Sequence, residues 1–127
     1  MHKTILADWL HTVVEAEEGA VSGLSYVFCT DSALLEINIK YLKTNNLTDV
    51  IAFDLSNGEG TEGEVYISME RITENAIKFN NTVEQELHRV MIHGLLHLLG
   101  YTDKSKSMKD SMTTQEDLYL SLLSKKF

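Results

Sequence analysis

A chain of 127 residues suits one compact domain and leaves no room for a second core of ordinary size. Its 43% hydrophobic and 24% charged residues exclude a disordered, collagen-like or membrane-embedded polypeptide. Nineteen acidic residues stand against eleven basic ones, a formal net charge of −8, so long-range electrostatics oppose a polyanionic partner and composition by itself argues against nucleic-acid binding.

In chain order, Ile5, Leu6, Trp9, Leu10, Val13 and Val14 recur at helical spacing, which predicts an amphipathic helix over residues 5–18 with its stop at Gly19. Leu24, Tyr26 and Phe28 alternate with Ser25, Val27 and Cys29, a strand pattern. Thr30 and Asp31 offer an N-cap to a helix reaching about residue 42, with Leu35, Ile39 and Leu42 on one side. A turn at residues 45–48 leads to a second strand over 49–55 and to a Gly- and Glu-rich loop over 56–63. A third strand over 64–69 places Val65 and Ile67 on one face. Three helices complete the reading, over residues 70–79, 83–99 and 109–125. The 83–99 helix is the most explicit: Thr82 and Gln85 fit a capping box, and Gly100 fits a C-terminal cap. Leu87, Val90, Met91, Leu95 and Leu98 are too many apolar residues for a surface helix, so it belongs at the centre of the core.

One cysteine, Cys29, excludes an intramolecular disulfide and suits a reducing compartment. No run approaches 18 apolar residues, and Asp8, Glu15, Glu17 and Glu18 interrupt the region where a signal peptide carries an uncharged core. A cytoplasmic protein without membrane or disulfide partners is expected.

The chemistry lies in His93-Gly94-Leu95-Leu96-His97-Leu98-Leu99-Gly100-Tyr101-Thr102-Asp103. Residues four apart on a helix differ by only about 40° in azimuth, so His93 and His97 project from one face and their rings can converge. The break at Gly100 lets Asp103 return as a third ligand. Three protein ligands leave one position for water, the pattern of catalytic zinc. Two histidines at this spacing also occur as packed or solvated side chains, but here unpaired imidazoles among leucines would carry a desolvation cost that a metal offsets. The same donor set serves non-haem iron, usually on strands rather than on a helix. A zincin-type protease would carry its general base where this chain has Gly94.

The string His-Gly-Leu-Leu-His-Leu-Leu-Gly-Tyr followed by an acidic residue closely resembles the signature of the YbeY family, bacterial rRNA maturation factors described as zinc-dependent endoribonucleases. The stretches Thr48-Asp49-Val50-Ile51-Ala52-Phe53 and Gly63-Glu64-Val65-Tyr66-Ile67-Ser68 resemble two further family strands. The resemblance implies an α+β fold, a small mixed β-sheet packed with helices, with a zincin-like metal site on a central helix. It also implies a single metal-dependent hydrolase domain over residues 1–127, acting as a single-strand-specific endoribonuclease in 16S rRNA maturation and ribosome quality control. Precursor rRNA, the small ribosomal subunit and assembly factors are the partners implied. A ribosome-assembly binding module with a structural metal is the alternative, and a metallopeptidase-like hydrolase a more distant one.

Three departures stand out. Asp103 replaces the family's usual third histidine, so the ligand set is His93, His97 and Asp103 around one zinc. A carboxylate there leaves bound water less acidic and relaxes metal choice toward manganese or iron. The family's RNA-facing arginine aligns with Leu42, so Lys43 and Lys104 are the cations left to meet substrate, without bidentate geometry. Family members often carry an N-terminal strand before the first helix, and this chain begins almost at that helix, so a sheet one strand smaller is expected. No residue is singled out as general acid or base. Glu64 reads as a solvated glutamate, His88 as off the ligand face, and Tyr101 as packing under the turn.

Overall fold

A computed structural model describes residues 3–19, 21–42, 49–55, 61–102 and 104–125. The elements run α1 (Lys3–Ala16), β1 (Val21–Cys29), α2 (Asp31–Ile37), a π-helical turn (Asn38–Leu42), β2 (Val50–Asp54), β3 (Thr61–Ser68), α3 (Met69–Lys78), α4 (Val83–Leu98) and α5 (Lys106–Ser124). Strand order is β1-β3-β2. β1 lies parallel to β3, and β2 antiparallel to it, so the sheet is mixed and the fold α+β, as expected. No described helix is long and apolar enough to cross a membrane.

Period 2 sets what β3 buries. Val65 and Ile67 are fully buried against the helices, each contributing about 1.5–3 kcal/mol by leaving water. Tyr66, between them, meets Phe53 edge-on, and Phe53 meets Tyr41 in the same way. In α1, Leu6, Trp9, Leu10 and Val13 form the buried stripe expected of a 3.6-residue period. The indole of Trp9 is wholly buried, and its Nε1–H donates to the carbonyl of Tyr119 at 2.7 Å, joining α1 to α5 without an orphaned donor. α1 stops with the Glu18 N–H donating to Glu15 O and the Gly19 N–H to Val14 O. The left-handed residue of that stop is Glu18, at φ 56°, rather than the glycine beside it.

The segment after β1 departs from expectation. Thr30 does cap α2, its side chain accepting from the Ala33 N–H, but the α-helix gives way to the π-helical turn at Asn38. The buried side is Leu34 and Asn38, at 1% and 4% exposure, whereas Ile39 is 50% exposed. The buried stripe runs through Leu34 and Asn38, four residues apart and one position ahead of the expected Leu35 and Ile39. The side chain of Leu42 and the expected turn at 45–48 lie outside the described residues, as do residues 56–60 of the expected loop; β3 already begins at Thr61.

Helix α4 sits at the centre. Leu87, Val90, Met91, Ile92, Leu95, Leu96 and Leu98 are buried, and β1 is tied to it by the Tyr26 phenol, which donates to Met91 O at 2.8 Å.

A candidate metal centre on α4

Both ends of α4 are fixed by local chemistry. Thr82 Oγ1 accepts from the Gln85 N–H at 3.0 Å, and Gln85 Oε1 accepts from the Thr82 N–H at 2.9 Å, the expected capping box. At the other end Gly100 stands at φ 107°. Its N–H donates to His97 O at 3.1 Å, and the Tyr101 N–H donates to Leu96 O at 3.0 Å, a Schellman stop that a side-chain-bearing residue adopts only with strain. The Tyr101 phenol then donates to Glu17 Oε1 at 2.7 Å, and Tyr119 donates to the other Glu17 oxygen. Burial, and secondarily the Glu17 carboxylate, push the Tyr101 pKa up to about 12, so this residue is a neutral anchor for the turn that leads to position 103.

His93 and His97 converge as their spacing predicts. Their Nε2 atoms are 3.1 Å apart, with ring centroids at 4.7 Å and planes at 80°. The other ring nitrogen of His93, Nδ1, lies 2.6 Å from Glu116 Oε2 on α5. Glu116 is nearly buried, and its second oxygen accepts from Arg89 Nη1 at 3.0 Å; Arg89 Nη2 donates to Asp117 at 2.7 Å. The sequence reading missed Glu116. Its one signal is position: it falls on the buried stripe Met112, Glu116, Tyr119, Leu123 of α5, where a carboxylate needs a partner.

The pair opens onto a cleft of about 530 Å³ walled by Asn38 from the π-helical turn, Asp49 and Asp54 at the ends of β2, and His93, Gly94 and His97 from α4. Position 94 faces the sheet. A Cβ there would lie 2.7 Å from Val65 Cγ1 and 3.6 Å from Val50 Cγ2, so the site has no room for a protease-type glutamate.

Among the described residues no group of three His, Cys, Asp or Glu side chains converges in a metal-holding set. Asp103 and Lys43 lie outside the described residues. Lys104 is exposed ahead of α5, where Lys106 and Lys109 are also exposed. Lys40 lies over the Tyr41 ring, 5.2 Å from its centroid. Both arginines are held by carboxylates, Arg71 by Asp31 and Glu74, Arg89 by Glu116 and Asp117, and neither lines the cleft. Glu64 is half-buried and hydrogen-bonded by the Tyr66 phenol. His88 packs edge-on to Trp9 at 6.3 Å between centroids, away from the pair. Cys29 is a strand residue with its thiol 3.5 Å from Ile67 O.

Comparison with known proteins gives the family of the chain. The family model for Endoribonuclease YbeY matches residues 1–124. An Endoribonuclease YbeY of Flavobacterium psychrophilum is 46% identical over 120 residues, 94% of this chain and 86% of that protein. Another, from Karelsulcia muelleri, is 44% identical over 119 residues, covering 94% and 84%. The solution structure of TM1509 from Thermotoga maritima superposes with a TM-score of 0.69 at 29% identity, over 97% of this chain and 83% of that one. With the family model spanning residues 1–124 and relatives 44–46% identical over 94% of its length, the chain belongs to the Endoribonuclease YbeY family.

Proposed function

We propose that the protein is a metal-dependent endoribonuclease that cleaves single-stranded segments of precursor rRNA during 16S maturation and quality control in the cytoplasm, with His93, His97 and Asp103 holding one zinc ion. The observation that carries this reading is the 3.1 Å approach of the two Nε2 atoms at the wall of an open cleft, in a chain of this family. Two imidazole nitrogens bound at about 2.0–2.1 Å in a tetrahedral site stand roughly 3.3 Å apart, so the donor pair fits zinc with a small adjustment. A bound zinc ion supplies Lewis acidity toward a phosphate oxygen or the attacking water.

The chain's own residues do the rest. The two imidazoles present nitrogen donors from a helix whose ends are capped, which holds their spacing. Gly94 keeps the helix close to the sheet, so the pair sits at the cleft wall rather than under it. Asp49 and Asp54 face a polyanion with like charge, whereas Lys43 and Lys104 are the cations assigned to flanking phosphates. Lysine contacts of this kind attract without imposing register, so the small ribosomal subunit and assembly factors are assigned the task of presenting the scissile segment.

The test is cleavage of a defined rRNA precursor with and without chelator, by wild type and by His97→Ala. Chelation and the substitution should each reduce cleavage to background, and zinc should return activity to the wild type alone. Equal zinc content in wild type and His97→Ala would overturn the metal assignment. Intact rRNA processing in cells carrying His93→Ala, with impaired assembly on depletion, would replace the enzyme by a binding module.

A further inference from the structure

We propose that Glu116 is a positioning residue for His93: from α5 it holds Nδ1 of the ring, which turns Nε2 toward His97 and the cleft. The proposal rests on the metal reading above and adds to it a residue from a different helix, nineteen positions beyond the second histidine.

The geometry carries it in three steps. First, Glu116 is fixed as an acceptor. Its side chain is 7% exposed, and Arg89, whose guanidinium only donates, lies 3.0 Å from Oε1. Secondly, Oε2 is 2.6 Å from His93 Nδ1, and an oxygen that accepts pairs with the tautomer carrying its hydrogen on Nδ1. A neutral His93 then has no hydrogen on Nε2, the nitrogen that stands 3.1 Å from His97 Nε2. Thirdly, the carboxylate is itself held. Arg89 lies one helical turn before His93 on α4 and forks across Glu116 and Asp117, which limits how far Oε2 can swing from the ring. Carboxylates in this position orient histidine ligands and raise their basicity.

The arrangement makes an isosteric substitution diagnostic. In Glu116→Gln the amide oxygen must face Arg89, because the guanidinium offers donors only. The amide NH2 then faces Nδ1, which must accept, and the hydrogen moves to Nε2, where it blocks metal. Removing Arg89 as well frees the amide to turn its oxygen toward the ring.

The experiment uses the full chain, zinc alone as the probe, and two readouts. Imidazole 15N shifts of the zinc-free protein at pH 8 report the tautomer of His93, and competition with a chromophoric chelator reports zinc affinity. Wild type should show the Nδ1–H form, and Glu116→Gln the Nε2–H form with affinity about 10–100-fold lower. Arg89→Met combined with Glu116→Gln should recover the Nδ1–H form and part of the affinity. A merely structural Arg89–Glu116 bridge predicts no such recovery. An Nε2–H tautomer in wild type overturns the proposal even if every variant misfolds, as does a folded Glu116→Gln with wild-type tautomer and affinity. Absence of zinc binding in wild type overturns the metal reading instead, and the tautomer measurement then stands alone as the test of Glu116.

Discussion

Gly94 and Val65 are in such close register across the α4–β3 contact that a Cβ on the glycine would lie 2.7 Å from one valine methyl and 3.3 Å from the other. Val65 is fully buried on the central strand and, being β-branched, has no second rotamer to retreat into. Gly94→Ala therefore forces the helix off the sheet. Overpacking costs about 1–3 kcal/mol, against about 1 kcal/mol of helix propensity gained. A net loss of roughly 0–2 kcal/mol is expected by urea denaturation, with weaker zinc binding, since the flanking histidines move with the helix. A stabilised Gly94→Ala protein would show that the contact is looser than described.

The Tyr101 phenol holds the turn that leads to residue 103. Tyr101→Phe removes one of the two donors to Glu17 and should cost about 1–2 kcal/mol. The phenol also has a pH signature. Its pKa is raised from 10.0 to about 12 in the fold, so its contribution is complete below pH 10 and is lost as pH rises from 10 through about 12, where the unfolded chain ionises first. The urea midpoint of wild type should fall more steeply than that of Tyr101→Phe across this window. Parallel curves would remove the anchor from the account.

Glu18 occupies a left-handed backbone position at φ 56° and is exposed. For a residue with a Cβ this conformation costs roughly 1–2 kcal/mol, part of which Glu18→Gly returns to the unfolded chain's greater freedom. The expected outcome is a gain of about 0.5–1 kcal/mol, seen as a higher urea midpoint at unchanged slope. Glu18→Ala keeps the strain and should show no such gain. Equal effects of the two substitutions would point to the lost charge rather than the backbone.

What could be read from the sequence was what local chemistry decides. The caps of α4, the phase of its two histidines and the Val65/Ile67 face all follow from residues within one turn or one strand of each other. The stop of α1 was placed to within two residues, yet the strained position fell to Glu18, because the hydrogen-bond pattern counts from the last helical residue and not from the nearest glycine. The π-helical turn was invisible, since nothing in a run of apolar and polar residues announces one extra residue in a turn, and the phase of α2 was hidden because the buried partner of Leu34 is the polar Asn38. The partner of Glu116 was hidden for another reason. It is on α4, and only the packing of α5 across α4 brings Oε2 to His93.

The net charge of −8 can now be set against positions. Asp49 and Asp54 wall the cleft beside the histidines, whereas Lys104, Lys106 and Lys109 are exposed just beyond residue 103. Acidic side chains at the cleft and lysines beyond it predict that short single-stranded RNA binds the isolated protein weakly and with few phosphate contacts. If those three lysines are the contacts, log affinity should fall against log salt with a slope of roughly −2. Replacing Lys104 by alanine should lower the slope by about 0.7. Asp54→Asn should act in the opposite sense on affinity, strengthening binding by removing a like charge from the cleft wall without adding a contact, so its slope should match wild type. Fluorescence anisotropy with a labelled oligonucleotide across 50–300 mM salt, a range of about one Debye-length halving, measures all three. Tight binding that ignores salt would mean that base stacking rather than phosphate attraction holds the RNA, and would move the interface away from the lysines.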